Sequence, residues 1–495
     1  MRQEKRNKLA SSISNGQRAL RHEAIEQGNL VPPRTQAANV KIFKTLEEEK
    51  QFRLEIVEAT LATWKQVLPQ VIADFAKVPD PRRAKSVKHK IAVVMMFALL
   101  LFVFRLKSRK QINQEMSKPQ FLENLRSVLP ELDSTPHSDT VARVLEKVDP
   151  CEISDIHTRL IKTLIQSKKF KKFLIFGGLP ISIDGVQKIV RDGKLQDENW
   201  LERTVGKDEN QRVQQYVYVV EVNITLKNGL SVPLMSEFLY YDGNTKPNKQ
   251  DCELTGFERV AKKLKSLFKR QKFVLCMDKL YPNKTVLETI TTNNWKYIIV
   301  LPGNKLKEIN AELAKEKENK QPIEDQTYYN GRQQDFYFKN NITWNGFNIN
   351  AVACFERWYE IDQKTAEKTP KFSEHKWITN LRVKKSNLHE LCNLCARKRW
   401  GIEDSNNTEK NRGYHYTHAF SYNWNGMWCF HLLMRLAHAI NALSEYTKTL
   451  KNYMRRHGVS WVLDCIKETF WNPWFTEEWI NKLSQVKAKL VLESS

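Results

Sequence analysis

Near residue 170 the spacing of apolar residues changes, and with it the kind of structure the chain can adopt. Before the basic run Lys168-Lys169-Phe170-Lys171-Lys172, apolar side chains recur at helical intervals, as in Phe52, Ile56, Leu61, Trp64, Leu68, Ile72 and Phe75. That pattern predicts one or two amphipathic helices from Leu46 to about Ala76, broken by Pro79-Asp80-Pro81. A buried helix over about 89–106, a basic helix over 108–128 and a helix over 139–147 capped by Ser138 or Asp139 complete an all-helical region. After the basic run, strands are expected at about 180–184, 215–225 and 230–239, the last two joined by a hairpin at Lys227-Asn228-Gly229. A helix at 251–268, a strand at 272–278, a helix at 283–292 and a strand at 296–301 follow, giving the order βββαβαβ of an α/β core. Residues 304–380 read as further strands, and the segment after Asn423 as a long amphipathic helix with Met427, Phe430, Leu433, Leu436 and Ile440 on its packed face.

Composition narrows the partners without choosing among them. Eighty Lys and Arg against 56 Asp and Glu give a net charge of +24 over 495 residues and a pI near 9.5, the footprint of a protein that meets a polyanion. DNA, RNA and an anionic membrane surface all satisfy it. The longest apolar run, Ile91 to Phe104, is too short to span a bilayer and reads as a core helix. Residues 1–44 are basic but lack the continuous apolar stretch of a secretory signal, so a flexible arm and a cytoplasmic location are expected. Eight cysteines without a regular framework fit a reducing compartment.

The chemistry-bearing residues stand at three places. Arg399, Glu403 and Lys410 in RKRWGIEDSNNTEK are spaced four and seven apart, so on a helix they share one side and set a carboxylate between two cations. Mg²⁺ takes hard oxygen ligands, whereas guanidinium and ammonium groups take phosphate oxygens, so the trio suits chemistry on nucleic acid. Upstream, Asp184 and Asp278 each follow a short apolar run, Leu179–Ile183 and Phe273–Met277, where a buried strand would hold a carboxylate rigidly. Both aspartates also read as turn formers, Asp184 because Gly185 follows it.

Asp184, Asp278 and Glu403, in this order, resemble the DDE triad of bacterial insertion-sequence transposases, and most nearly the group whose signature is Y-x2-R-x3-E-x6-K. Arg399, Glu403 and Lys410 fit the R-x3-E-x6-K part without a gap, while Ala396 stands at the tyrosine position. Separations of 94 and 125 residues between successive acids resemble members with a β-rich insertion before the final acid. The stretches KQDCELTGFERVAKKL and CMDKLYPNKTVLETITTNNWKYIIVLPGN add to the likeness, which covers roughly Ser182 to Leu443. The resemblance implies a ribonuclease H-like catalytic core in two parts, 176–303 and 381–445, a β-rich insertion at 304–380, a helical DNA-binding domain at 45–175 and a helical C-terminal tail at 446–495. It implies an enzyme that cuts double-stranded DNA at terminal inverted repeats and joins the 3′-hydroxyl ends to target DNA. Asp184, Asp278 and Glu403 would hold two Mg²⁺ ions, for which Mn²⁺ substitutes, and Arg399 and Lys410 would position DNA phosphates. A homodimer on paired ends, with no membrane association and a place on the bacterial nucleoid, belongs to the same expectation.

Other readings stay open at this stage. A relative that binds DNA without cutting it, and a ribonuclease H-like nuclease without strand transfer, share the same residues. Asp404 rivals Glu403 as third acid, though it points about 100° away on a helix. Arg105, Lys107, Arg109 and Lys110 are either phosphate contacts or a solvated charge run. His389, Cys392 and Cys395 at i, i+3 and i+6 read as helix packing, because a structural zinc needs further ligands that the spacing does not supply. Tyr328, Tyr329, Tyr337, Trp344, Phe347, Trp358, Tyr359 and Trp377 in the inserted strands are core residues or stacking platforms for a flipped base. The tail tryptophans Trp461, Trp471, Trp474 and Trp479 suggest a buried cap or a dimer contact.

Overall fold

The computed structural model describes residues 42–193, 199–207, 210–240, 249–329, 331–361, 368–485 and 490–493, together with residues 19, 23 and 26. The arm expected over 1–44 therefore lies almost wholly outside the described residues. The chain divides into two compact units, one of residues 36–273 and 399–495, the other of residues 274–398 with 1–35.

The larger unit begins with six helices: α1 (Leu46–Phe75), α2 (Ile91–Val103), α3 (Lys110–Gln114), α4 (Pro119–Val128), α5 (Ser138–Leu145) and α6 (Pro150–Gln166). Helix α1 starts where the Thr45 hydroxyl accepts the Glu48 amide, with Glu47, Glu48 and Glu49 in its positive first turn. Helix α2 is apolar all round and is accordingly enclosed, by α1 and α5 and by the long helix α11 described below. The single basic helix expected over 108–128 is two, because Pro119 starts a new helix at its first turn.

Four strands follow: β1 (Leu179–Asp192), β2 (Leu201–Val205), β3 (Arg212–Thr225) and β4 (Ser231–Leu239). Strand β1 runs antiparallel along one edge of β3, and β2 and β4 pair with successive halves of the other. The Asn228-Gly229 hairpin forms as expected, Gly229 taking φ 88° and the Asn228 side chain accepting the Leu230 amide. Strand β2 is an addition to the expected order, which becomes ββββαβαβ. Helix α7 (Lys249–Leu267) packs on β3 and β4.

The smaller unit holds β5 (Phe273–Met277, entered from Phe273), α8 (Lys284–Thr292), β6 (Lys296–Val300), α9 (Lys307–Asn319), β7 (Ile323–Tyr329), β8 (Arg332–Trp344), β9 (Phe347–Ile361) and β10 (Lys368–Thr379). Strand order is β5-β6-β10-β9-β8-β7, parallel only between β5 and β6, so the sheet is mixed and flanked by helices. Helix α9 occupies part of 304–380, where only strands were expected. Its Ala, Glu and Lys favour helix, and Ile309, Leu313 and Glu316 at i, i+4 and i+7 form its buried face. The β8–β9 hairpin turns on Asn345-Gly346, both at positive φ.

Past a π-helical turn over Glu390–Cys395 and a 3₁₀ turn over Ala396–Arg399, the larger unit resumes with α10 (Trp400–Asn411), α11 (Trp424–Glu445), α12 (Lys448–His457), α13 (Val459–Trp471) and α14 (Glu477–Gln485). Helix α11 is buried along nearly its whole length, with Met427, Phe430, Leu433, Leu436 and Ile440 all inaccessible, and packs on α2 as well as β4. Helix α13 packs on α1 and α4, where Phe470 and Trp471 meet Trp64, Phe104 and Phe121; Phe470 is buried and Trp471 half-buried. No helix among the described residues is long and apolar enough to cross a membrane.

Candidate active site

Asp184 lies in the middle of β1, not at its carboxyl end, and the chain does not turn there. The strand continues through Gly185 to Asp192 because Gly185 presents no side chain to α7: a Cβ at that position would stand 2.1 Å from Oε2 of Glu253 and 2.6 Å from the Tyr218 ring. Asp-Gly is here a close approach of backbone to a helix, not a loop. Asp184 is half-buried and faces Glu221 across the β1–β3 pair, so the two carboxylates share one face of the sheet.

Glu403 lies in the first turn of α10, a helix that packs against both β1 and β3. Arg399, at the N-cap position, is only 7% exposed and donates from Nη2 to Oε1 of Glu403 at 2.6 Å, while the Glu403 side chain remains 40% exposed. Lys410 closes the same helix, its Nζ 5.9 Å from the centre of the Tyr416 ring. Asp184, Arg399, Glu403 and Lys410 thus all belong to the larger unit. Asp278 belongs to the smaller unit, one residue beyond β5, where its Oδ1 accepts the Leu280 amide at 2.8 Å in a side-chain turn. Among the described residues no three His, Cys, Asp or Glu side chains form a ready-made metal cluster.

Beneath α10 lies a charged network that the sequence pattern alone did not reveal. Arg435 of α11, fully buried, donates from Nη1 to Glu409 of α10 at 2.8 Å, with its Nε 3.2 Å from Glu221 of β3 and its Nη2 bonded to Asn223. His431 stands 3.0 Å from Glu221, which also accepts from Tyr416 at 2.9 Å and Ser236 at 2.6 Å; His438 meets Glu409 at 2.6 Å. Burial alone would raise the Glu221 pKa, but Arg435 and His431 outweigh it and hold it at about 2. Glu409 is likewise lowered, burial being overcome by Arg435 and His438. Lys188, also fully buried, donates to the Tyr416 carbonyl at 2.9 Å, and burial lowers its pKa to about 8 against the pull of Glu221 and Glu409. The network joins the helix of Glu403 to the strand pair of Asp184. The sequence does carry a signal for it: His431, Arg435 and His438 recur at i, i+4 and i+7 inside an otherwise apolar helix, a stripe that must be buried and therefore paired.

A family model described as "Transposase DDE domain" matches residues 193–441, half of the chain, and one described as "DDE_Tnp_1-associated" matches residues 72–161. The chain belongs to the DDE transposase family. No curated protein matches it. The first match contains Asp278, Arg399, Glu403 and Lys410 and begins nine residues after Asp184; the second spans the helical region from the end of α1 into α6. The transposase function follows from this membership, and transposases of this family generally use divalent metal ions.

The remaining candidates separate by their surroundings. Arg105 is engaged within the protein: its guanidinium is bonded to Glu445 and Tyr414 and lies 4.8 Å from the centre of the Tyr414 ring. Cys392 and Cys395 are buried, Cys395 with its sulfur 3.5 Å from that of Cys276 and its pKa raised by the Cys276 contact and by burial. Of the inserted aromatics, Trp377 is buried beside His375, Trp358 is covered by Arg332 at 4.0 Å, and Tyr359 is about half exposed. The side chains of Tyr328 and Tyr329 lie outside the described ones.

Proposed function

We propose that this transposase cuts DNA at the terminal inverted repeats of an insertion sequence and joins the freed 3′-hydroxyl ends to target DNA, with Asp184, Asp278 and Glu403 as its catalytic carboxylates. The observation that supports this best is the α10 trio: Glu403 half-open on a helix packed against the strand of Asp184, held by Arg399 and followed on the same face by Lys410. The donors fit a hard divalent cation in kind, all three being carboxylate oxygens. Asp184, Asp278 and Glu403 would hold Mg²⁺, two ions in this reading with Mn²⁺ as a substitute, and the bound metal would activate the attacking water or 3′-hydroxyl and stabilise the leaving 3′-oxygen.

The chain's own groups divide the rest of the work. Arg399, 7% exposed, orients Glu403 and carries a guanidinium suited to a phosphate, while Lys410 offers a point charge about two turns on. Because no protein nucleophile is required, water and a DNA 3′-hydroxyl can act in turn at one site, which gives hydrolysis and then strand joining. The ribonuclease H-like assignment, the roles of 45–175 in DNA binding and of 304–380 as an insertion, action as a homodimer and a place on the nucleoid belong to this reading.

The test is cleavage of a labelled duplex carrying the flanking repeat, with Mg²⁺ or Mn²⁺, by wild type and by Asp184→Ala, Asp278→Ala, Glu403→Ala and Arg399→Ala. Cleavage leaving a 3′-hydroxyl at the repeat end, lost in the three acid variants while their DNA binding persists, is the expected result. Arg399→Ala, which releases the Glu403 carboxylate, should cut more slowly while its DNA binding persists. Binding without cutting by wild type under either metal would replace this reading with that of an inactive DNA-binding relative.

A further inference from the structure

Between the amino-terminal helices and the end of β1, the larger unit has an open cleft of about 770 Å³ that the catalytic residues do not line. Three cations face it without a carboxylate partner among the described residues. Arg109 and Lys110 come from the start of α3, and Arg191 from the end of β1, where it bonds only neutral oxygens, the Val190 carbonyl and the Tyr422 hydroxyl. Among the described residues some cations of this unit are paired, as Arg53 is to Glu49 and Glu468, Arg105 to Glu445 and Arg259 to Glu237, and others such as Arg126 are not; what sets these three apart is that one cleft gathers them. Two carboxylates share the cleft, Asp139 and Glu146, the latter accepting the Ser421 hydroxyl at 2.9 Å; neither is ion-paired to Arg109, Lys110 or Arg191 among the described residues, and the three cations exceed them by one charge.

The strand places this cleft in register with Asp184. Lys188 is an extra residue in β1, since Gln187 pairs with Tyr218 and Ile189 with Val217. That bulge reverses the alternation of faces, so Arg191, opposite Gln215, returns to the side that carries Asp184, opposite Glu221. Seven residues of strand separate Asp184 from Arg191, a span of about 20–23 Å at roughly 3.3 Å per residue. Between them Val186 and Ile189 are buried, Ile189 in one cluster with Trp424 and Met427 of α11, so a duplex that reaches both ends lies over this cover and meets Arg191 about 20–23 Å from Asp184.

We propose that the cleft of Arg109, Lys110 and Arg191 is a second phosphate-binding site, which grips the backbone of the bound duplex about 20–23 Å from the point of cleavage. The inference rests on Asp184 being catalytic for its distance, but not for its existence. Its ligand is the DNA phosphodiester backbone, taken without regard to base sequence, because guanidinium and ammonium groups on separate elements match phosphates.

The test measures binding of the full-length chain to labelled repeat and random duplexes by fluorescence anisotropy over a salt series. The proteins are wild type, Arg109→Ala/Arg191→Ala, Arg109→Lys/Arg191→Lys and, as a control outside the cleft, Lys162→Ala. Each phosphate contact contributes about 0.9 to the slope of log K against log salt, so the double alanine variant should lose about 2 from the slope and bind about 60-fold more weakly at 0.1 M salt. The loss should be equal on both duplexes, the lysine variant should keep most of the slope, and Lys162→Ala should match wild type. An unchanged slope in the double alanine variant overturns the proposal, as does a loss confined to the repeat duplex, which would mean base reading. Ethylation interference adds the position: phosphates whose ethylation weakens binding by wild type but not by the double alanine variant should form a cluster separate from the cut, about 20–23 Å from it. Should Asp184→Ala still cleave, the catalytic assignment falls while the slope continues to judge the cleft on its own.

Discussion

Replacing Arg435 with methionine tests whether the buried network holds the larger unit together. The side chain is fully inaccessible and serves two carboxylates, Glu221 and Glu409, from opposite sides of its guanidinium. Methionine fills the volume but leaves both acids without their main counter-charge, and removing one member of a buried ion pair costs about 3–5 kcal/mol. Against a typical total stability of about 5–15 kcal/mol, that is a large fraction. The pH dependence distinguishes this cause from loss of packing. In wild type the Glu221 pKa is held at about 2, below its ordinary value, so the carboxylate contributes stability that is present above about pH 4.5 and lost as the pH falls toward 2. Without Arg435 burial dominates and the pKa values of Glu221 and Glu409 rise, so the folded variant takes up protons and the sign reverses. The stability gap between wild type and variant should therefore narrow on going from pH 7 to pH 5, by about 1.4 kcal/mol per pH unit for each extra proton bound. Urea unfolding followed by tryptophan fluorescence at pH 5, 6 and 7 reads this directly. Neutralising the whole set with Glu221→Gln/Glu409→Gln/Arg435→Met should recover much of the loss. A cost under about 1 kcal/mol at pH 7, or a gap that does not change with pH, would refute the reasoning, because it would mean that water or another group already compensates the two acids.

Two further expectations follow from the same region. Gly185→Ala should destabilise by about 1–3 kcal/mol, since the new methyl meets the Tyr218 ring and the Glu253 carboxylate where only the latter can move; urea unfolding of the variant at pH 7 would show it, and wild-type stability would count against so tight a packing of α7 on β1. Lys188 has a folded pKa of about 8, lowered by burial from 10.5, so it opposes folding below pH 8 and this opposition is relieved as the pH rises toward 10.5; Lys188→Met should abolish that rise in a pH series of unfolding measurements, and an identical rise in the variant would assign it to another group.

The elements that were legible in the sequence are those whose apolar spacing stands without help from the rest of the chain. Helices α1, α2 and α11, the β3–β4 hairpin and the strands before Asp278 and after α8 all have that character. What escaped is what depends on neighbours. Strand β2, Leu201–Val205, has only five residues and gains its identity by pairing with Arg212–Tyr216. The extension of β1 past Asp184 depends on Gly185 lying under α7, a contact between residues nearly 70 apart in the chain. Helix α9 is the exception, since its helix-forming composition was visible and was obscured by the aromatic strands that follow it.

The same dependence explains why the trio on α10 was legible and the network beneath it was not. Arg399, Glu403 and Lys410 are related by helix geometry alone, four and seven residues apart, and no other element is needed to see that they share a face. Glu409 lies one residue before Lys410 and so about 100° round the same helix, where its meaning comes only from Arg435 and His438, 26 and 29 residues later. One twelve-residue helix therefore does two things on two faces: the half-open face offers a carboxylate between cations, and the closed face fixes the helix to the strands beneath. A carboxylate can serve on the open face only if its backbone is held still, and here that hold is electrostatic, through Arg435, which reaches Glu409 and the strand residue paired with Asp184 at once.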